Sequence, residues 1–202
     1  MAADKVDWVG RSKLLGFPIL LFPMLWGIWV GFNGGLGPDP AKAFVDHNGL
    51  WAFRLLLLSL AMTPLRYLTR RSFWIRYRRM LGLFAFSYVL VHVLGYAFLL
   101  FDGHWSEILV ELAKRPYIIV GGAAFFLLIP LALTSTRGWQ RRLGRHWIDL
   151  HRLVYPASVL ALIHFAWVQK LGFLAVWPYV VVLVALFGIR IGKRYAHRFG
   201  KV

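Results

Sequence analysis

The chain contains no cysteine. Disulfides, iron–sulfur clusters and thiolate metal sites are therefore excluded. Acidic residues are scarce, 8 against 24 lysines and arginines, which leaves a formal net charge of +16. No low-complexity tract, dinucleotide-binding fingerprint or separate soluble domain interrupts the 202 residues, and no internal repeat stands out. In a soluble domain such a positive excess points to nucleic acid. Here the basic residues border long apolar runs, so membrane topology explains them and no nucleic-acid partner is expected.

What the chain has in abundance is apolar sequence. Hydrophobic residues make up 59% of it, and the mean hydropathy is +0.62. Six runs approach the length that crosses a bilayer, at about 14–32, 50–67, 80–101, 117–135, 150–168 and 174–191. The expected class is an all-α integral membrane protein, a bundle of six transmembrane helices forming one domain over 1–202. The first run follows Lys5, Arg11 and Lys13 as a signal peptide does. Its length and the lack of a small-residue cleavage site favour a retained helix. Asn33-Gly34-Gly35-Leu36-Gly37-Pro38-Asp39-Pro40 reads as a turn-rich loop. Pro18, Pro23, Pro64, Pro130, Pro156 and Pro178 fall in or near the runs, where neighbouring helices can re-satisfy the freed carbonyls. Trp26, Trp29, Trp51, Trp105, Trp167 and Trp177 cluster at run ends as interfacial anchors facing lipid.

Charge sets the orientation. The N-terminus, the C-terminus and the connections between runs two and three and runs four and five hold 19 of the 24 basic residues, against Asp4, Asp7 and Asp149. The other connections balance: Lys42, Arg54, Lys114, Arg115 and Lys170 face Asp39, Asp46, Asp102, Glu107 and Glu111. The positive-inside rule then places both termini and the two Arg-rich connections in the cytoplasm, in a multi-pass membrane protein.

Three histidines lie in apolar sequence, where ionisable groups are costly and mark function. His92 falls about 18 Å into the third run and His164 about 21 Å into the fifth, both counted from the cytoplasmic side. Two imidazoles at matched depth on neighbouring helices can hold a haem iron from both faces. A histidine-dependent proton relay or metal transporter without haem is the alternative. His151 opens the fifth run near the inner face. Thirteen residues along an ideal helix set it about 140° from His164, so it serves a different site unless Pro156 alters the twist. The histidines at 47, 104, 146 and 197 fall in loops or the tail and are expected to be solvated.

Arginines accompany them. Arg76, Arg78, Arg79 and Arg152 gather on the side of His151. They mark either topology alone or a place beside His151 for a second redox group, either a second haem with one histidine ligand and a non-histidine partner or a flavin whose phosphate pairs with arginines of this cluster, Arg78 and Arg79 among them. Arg54 stands inside an apolar run. It either pairs with a haem propionate near the level of His92 and His164 or snorkels to the interface.

Two histidines 13 apart on one helix, facing a histidine-bearing helix, resemble the ferric-reductase-like transmembrane haem proteins, in which two helices carry two histidines each. One histidine spacing before His92 this chain has Arg78 or Arg79, so only the pair His92 and His164 is complete. The motifs Thr63-Pro64-Leu65, Arg78-Arg79-Met80-Leu81-Gly82-Leu83, Arg115-Pro116-Tyr117, Thr134-Ser135-Thr136 and Gln140-Arg141-Arg142-Leu143-Gly144, with the loop at 33–40 and the histidines, are together similar to the MsrQ (YedZ) family. That resemblance implies a subunit binding haem b, one copy or two, with iron ligands among His92, His151 and His164, and also binding FMN. It implies electron transfer from a cytoplasmic flavin reductase or quinol to MsrP, a periplasmic molybdopterin enzyme that repairs methionine sulfoxide. The chain itself is then an electron conduit rather than an enzyme. The outer connections at 33–48 and 102–115 are the surfaces expected to meet the partner.

Overall fold

The computed structural model describes residues 8–169 and 173–199. They form α1 (Trp8–Phe32), α2 (Pro40–Thr69), α3 (Ile75–Leu99), α4 (Trp105–Lys114), α5 (Pro116–Leu133), α6 (Arg137–Leu143), α7 (Arg145–His151), α8 (Val154–Val168) and α9 (Phe173–Phe199), with a 3₁₀ turn at Ser72–Trp74. No strand occurs among the described residues. Five of the helices, α1, α2, α3, α5 and α9, are long and apolar enough to cross a membrane.

Two boundaries differ from the hydropathy pattern. α2 begins at Pro40, so the polar stretch through Asn48 is helical rather than a loop. Proline at the first helical position needs no N–H partner, and the Asp39 carboxylate accepts from Lys42 N–H at 3.0 Å. Capping and tertiary packing thus extend a helix that hydropathy alone stops ten residues short. The expected fifth span is broken: α7 ends at His151 and α8 has only 15 residues. Pro156 has no N–H to offer Arg152 O, and Tyr155 N–H takes that carbonyl instead at 3.0 Å, tightening the chain into a turn. The angular separation of His151 and His164 expected for one continuous helix therefore does not apply.

α2 is the central element. Within its apolar window 56% of residues are buried, against 6% for α1, whose Leu14, Leu15, Ile19 and Phe22 face outward. Leu55, Leu56, Leu57 and Leu60 pack with Leu81, Phe84, Ala85 and Tyr88 of α3 into one core. Two helix pairs are the most closely packed, α2 with α3 and α5 with α8.

The buried prolines leave backbone groups that neighbours satisfy, as a lipid environment demands. Pro64 frees the carbonyl of Leu60, which accepts from the Arg190 guanidinium of α9, whose other arm donates to Tyr155 Oη at 2.8 Å. Beside Pro23, the Tyr88 hydroxyl enters the ladder of α1, donating to Leu20 O at 2.8 Å and accepting from Met24 N–H at 2.9 Å.

Candidate functional site

The paired-histidine site is built twice from the same parts. In the first pair, α3 carries His92 and its Nδ1 lies 2.8 Å from Val45 O of α2. In the second pair, α8 carries His164 and its Nδ1 lies 2.7 Å from Tyr117 O of α5. Ring and carbonyl are 47 residues apart in both. One turn beyond each carbonyl stands a glycine, Gly49 and Gly121, and the imidazole lies directly against it. A Cβ at Gly49 would sit 2.8 Å from His92 Nδ1, and one at Gly121 would sit 2.7 Å from His164 Nδ1.

A carbonyl can only accept, so both Nδ1 atoms carry the proton. The lone pair of each neutral ring is then on Nε2, the form in which histidine binds metal. The two ring centroids are 6.2 Å apart and the ring planes cross at 77°. An iron about 2 Å from each Nε2, with each ring centre about 1 Å further back, separates the centroids by about 6 Å. The residues present therefore fit a haem iron, which His92 and His164 would hold. No group of three or more His, Asp or Glu side chains converges among the described residues, so the two imidazoles suit a metal whose remaining ligands come with it, as the macrocycle of a haem would supply.

His151 lies at the opposite end of the bundle. Its ring stacks on Trp147, with centroids 3.8 Å apart at 27°, and its Nδ1–H donates to Trp147 O at 3.0 Å. Trp147 Nε1–H in turn donates to Thr134 O at 2.9 Å, which ties α7 to the end of α5. Arg78, half-buried on α3, is within electrostatic reach of His151 and of Arg190. Arg79 is exposed, one residue further round the helix. Of the two arginines named from the sequence, only Arg78 is brought to His151.

Arg54 is exposed on α2, its guanidinium 5.3 Å from the Trp51 ring centre and its Nε–H donating to Tyr179 Oη at 3.0 Å. Tyr179 packs against Phe165, the neighbour of His164, at 5.1 Å. Arg54 is thus linked through two rings to the second imidazole.

His47 is not solvated. It lies on α2, half-buried, with Nε2–H donating to Pro23 O of α1 at 2.9 Å. Gly27, one turn beyond that carbonyl, is its seat, and a Cβ there would fall 3.1 Å from the ring. The nitrogen left over is Nδ1, the reverse of His92 and His164. His104 Nδ1–H donates to Phe101 O at 2.9 Å in the turn before α4, and His146 is exposed. The side chain of His197 lies outside the described residues.

Gly49 and Gly121 are site residues, in contact with the imidazoles, that the sequence pattern did not single out. The signal was present: each glycine precedes its histidine by the same interval, so a repeat exists at the level of the site although none stands out in the sequence.

A bundle of apolar helices that brings two backbone-tethered imidazoles together defines a helical membrane protein with a paired-histidine site. Residues 48–162 match the family described as ferric reductase like transmembrane component. A protein-methionine-sulfoxide reductase heme-binding subunit MsrQ from Xanthomonas euvesicatoria pv. vesicatoria is 48% identical over 179 residues, covering 89% of this chain and 82% of the relative. Its namesake from Xanthomonas campestris pv. campestris is 48% identical over 176 residues, covering 86% and 81%. That from Xanthomonas oryzae pv. oryzae is 46% identical over 179 residues, covering 89% and 82%. The chain belongs to the MsrQ family.

Proposed function

We propose that the chain is the haem-binding, electron-carrying membrane subunit of a protein-methionine-sulfoxide reductase system. The observation that carries this reading is the His92 and His164 pair, centroids 6.2 Å apart, each Nδ1–H spent on a backbone carbonyl. A b-type haem bound between them would supply reversible one-electron transfer. The chain's own part is to bring the two rings together with the proton of each on Nδ1 and to hold them against rotation. The names of the relatives support the assignment.

The positive-inside bias supports six crossings of the inner membrane, with α7 and α8 together making the fifth and both termini cytoplasmic. The imidazole pair then lies toward the periplasm. His92 is about 10 Å from the outer end of α3 at 1.5 Å per residue. This suits a periplasmic acceptor, the molybdopterin subunit MsrP, docking on the outer surface around α4 and 33–39. Sulfoxide reduction consumes two electrons and two protons and yields a thioether and water, so a one-electron carrier acts twice per sulfoxide. The catalytic site is assigned to the partner, whose molybdopterin would carry out the oxygen-atom chemistry.

Electrons enter from the cytoplasmic side, from a quinol or a separate flavin reductase. The inner end, with His151, Arg78 and Trp147, is where a second redox group would stand. FMN, its phosphate facing Arg78, and a second haem with His151 as one ligand are the two occupants. Arg54 is assigned to a propionate of the outer haem.

The visible spectrum of the purified protein tests the reading. A b-type Soret band that shifts on dithionite is expected, with loss of the outer haem in both His92→Ala and His164→Ala. A colourless wild-type protein, or full spectra in both variants, overturns it.

A further inference from the structure

We infer that Gly49 and Gly121 are positioning residues that fix the protonation form and the orientation of the two iron-ligating imidazoles. The inference rests on the reading that His92 and His164 hold the iron.

Each histidine ring lies flat on the neighbouring helix because that helix has no side chain there. At Gly49 the closest approaches to a Cβ would be 2.8 Å to Nδ1, 2.9 Å to Cε1 and 3.5 Å to Cγ of His92. At Gly121 they would be 2.7, 2.8 and 3.0 Å to the same atoms of His164. Contacts this short reach most of the ring, so a methyl group displaces the whole imidazole rather than bending a flexible tip. Displacing it breaks the Nδ1–H bond to Val45 O or Tyr117 O. That bond holds the proton on Nδ1, raises the basicity of Nε2 and sets the rotation of the ring about the iron axis. The 77° crossing of the two planes follows from two such tethers on two different helix pairs. The backbone carbonyl cannot be removed by mutation, so the glycine is the only genetic handle on the tether.

His47 shows that this is more than close packing. It has the same parts, a carbonyl at Pro23 and a glycine at Gly27, but bonds through Nε2. Its contact to Gly27 is looser, 3.1 Å at the nearest atom, and of the three rings seated on a glycine only the paired ones present Nε2. The tight seats therefore coincide with the ligand-ready form of the ring.

Glycine inside a helix is ordinarily unfavourable relative to alanine, so a glycine with no positional role gains from the replacement. Gly122, beside Gly121, has nothing within 4 Å of its Cβ position and is the matched control.

The test is a titration of the full-length protein, produced without haem and purified in detergent, with hemin. Wild type and Gly122→Ala are expected to bind alike. Gly49→Ala and Gly121→Ala are expected to bind about 10- to 100-fold more weakly, the range seen when the outer partner of a metal-bound histidine is lost. Their low-spin electron paramagnetic resonance is expected to move away from the strongly anisotropic signal of near-perpendicular rings, while the melting of the haem-free protein is unchanged or improved only in Gly122→Ala. Equal affinity and an unchanged signal in Gly121→Ala and Gly122→Ala overturn the inference. If an alanine variant does not accumulate, the double variants G49A/H92A and G121A/H164A remove the ring that the methyl group strikes. Recovery of folding supports the seat, and failure to recover overturns it in favour of simple helix packing. Hemin binding that survives both His92→Ala and His164→Ala defeats the ligand reading itself, an outcome distinct from the others.

Discussion

The rings of His151 and Trp147 lie face to face, 3.8 Å between centroids, and the imidazole Nδ1–H also donates to the tryptophan's own carbonyl. His151 is thus locked by one residue through both its ring and its backbone. The Leu131 carbonyl of α5 is also within reach of the imidazole. The ring stands before the start of α8, and His164 lies about 15 Å further along that helix at 1.5 Å per residue. Trp147→Ala is expected to reproduce the effect of His151→Ala on the inner site. Both should leave the outer haem in place, so haem per polypeptide, measured as the pyridine haemochrome, falls by no more than one equivalent. A loss of all haem in either variant would show that the two ends are not independent.

His92 and His164 were legible in the sequence because an imidazole at membrane depth stands out against apolar neighbours and because depth can be counted. The seats beneath them were not. A helical glycine reads as a weakness in the helix until the ring lying on it is seen. Arg78 and Arg79 were indistinguishable as neighbours in sequence, since the phase of α3 alone decides which of them is half-buried. The outer start of α2 was missed because hydropathy ignores what a capped helix of polar residues gains by packing, and with it went the true place of His47. The break after His151 had a visible cause in Pro156, whose effect on the carbonyl four residues back shortens the helix rather than twisting it.

Tyr88 opens the ladder of α1 at the rung next to Pro23. Its hydroxyl satisfies Leu20 O and Met24 N–H at once, and the side chain is fully buried. Tyr88→Phe removes both bonds while keeping the ring. Leaving buried donors or acceptors unpaired costs about 1–3 kcal/mol each, offset in part if α1 closes its own ladder. A lower melting temperature with an unchanged haem spectrum is the expected result, checked by thermal unfolding in detergent.

His47 separates tethering from ligation. Because its Nε2–H is committed to Pro23 O, His47→Ala should leave the Soret and α bands untouched. The cost is one hydrogen bond and the packing of α1 on α2, of order 1 kcal/mol. Any loss of haem comparable to that in His92→Ala would assign His47 to the site and contradict the tautomer argument.

Arg54 distinguishes a propionate partner from a snorkelling cation. Its guanidinium is held over Trp51 and bonded to Tyr179, one ring away from Phe165 and the second imidazole, so it is braced rather than extended toward an interface. A fixed positive charge near an iron centre favours the reduced form, which carries one positive charge fewer. Arg54→Gln removes that charge and should lower the midpoint potential of the outer haem. For a one-electron couple about 59 mV corresponds to a tenfold change in equilibrium constant, so an interaction of about 1 kcal/mol shifts the potential by some tens of millivolts. Arg54→Lys should recover part of the shift, because the charge returns without the planar fork that bonds a carboxylate from two nitrogens. An unchanged potential in Arg54→Gln, read by spectroelectrochemical titration, would return Arg54 to a purely structural role beside Trp51 and Tyr179.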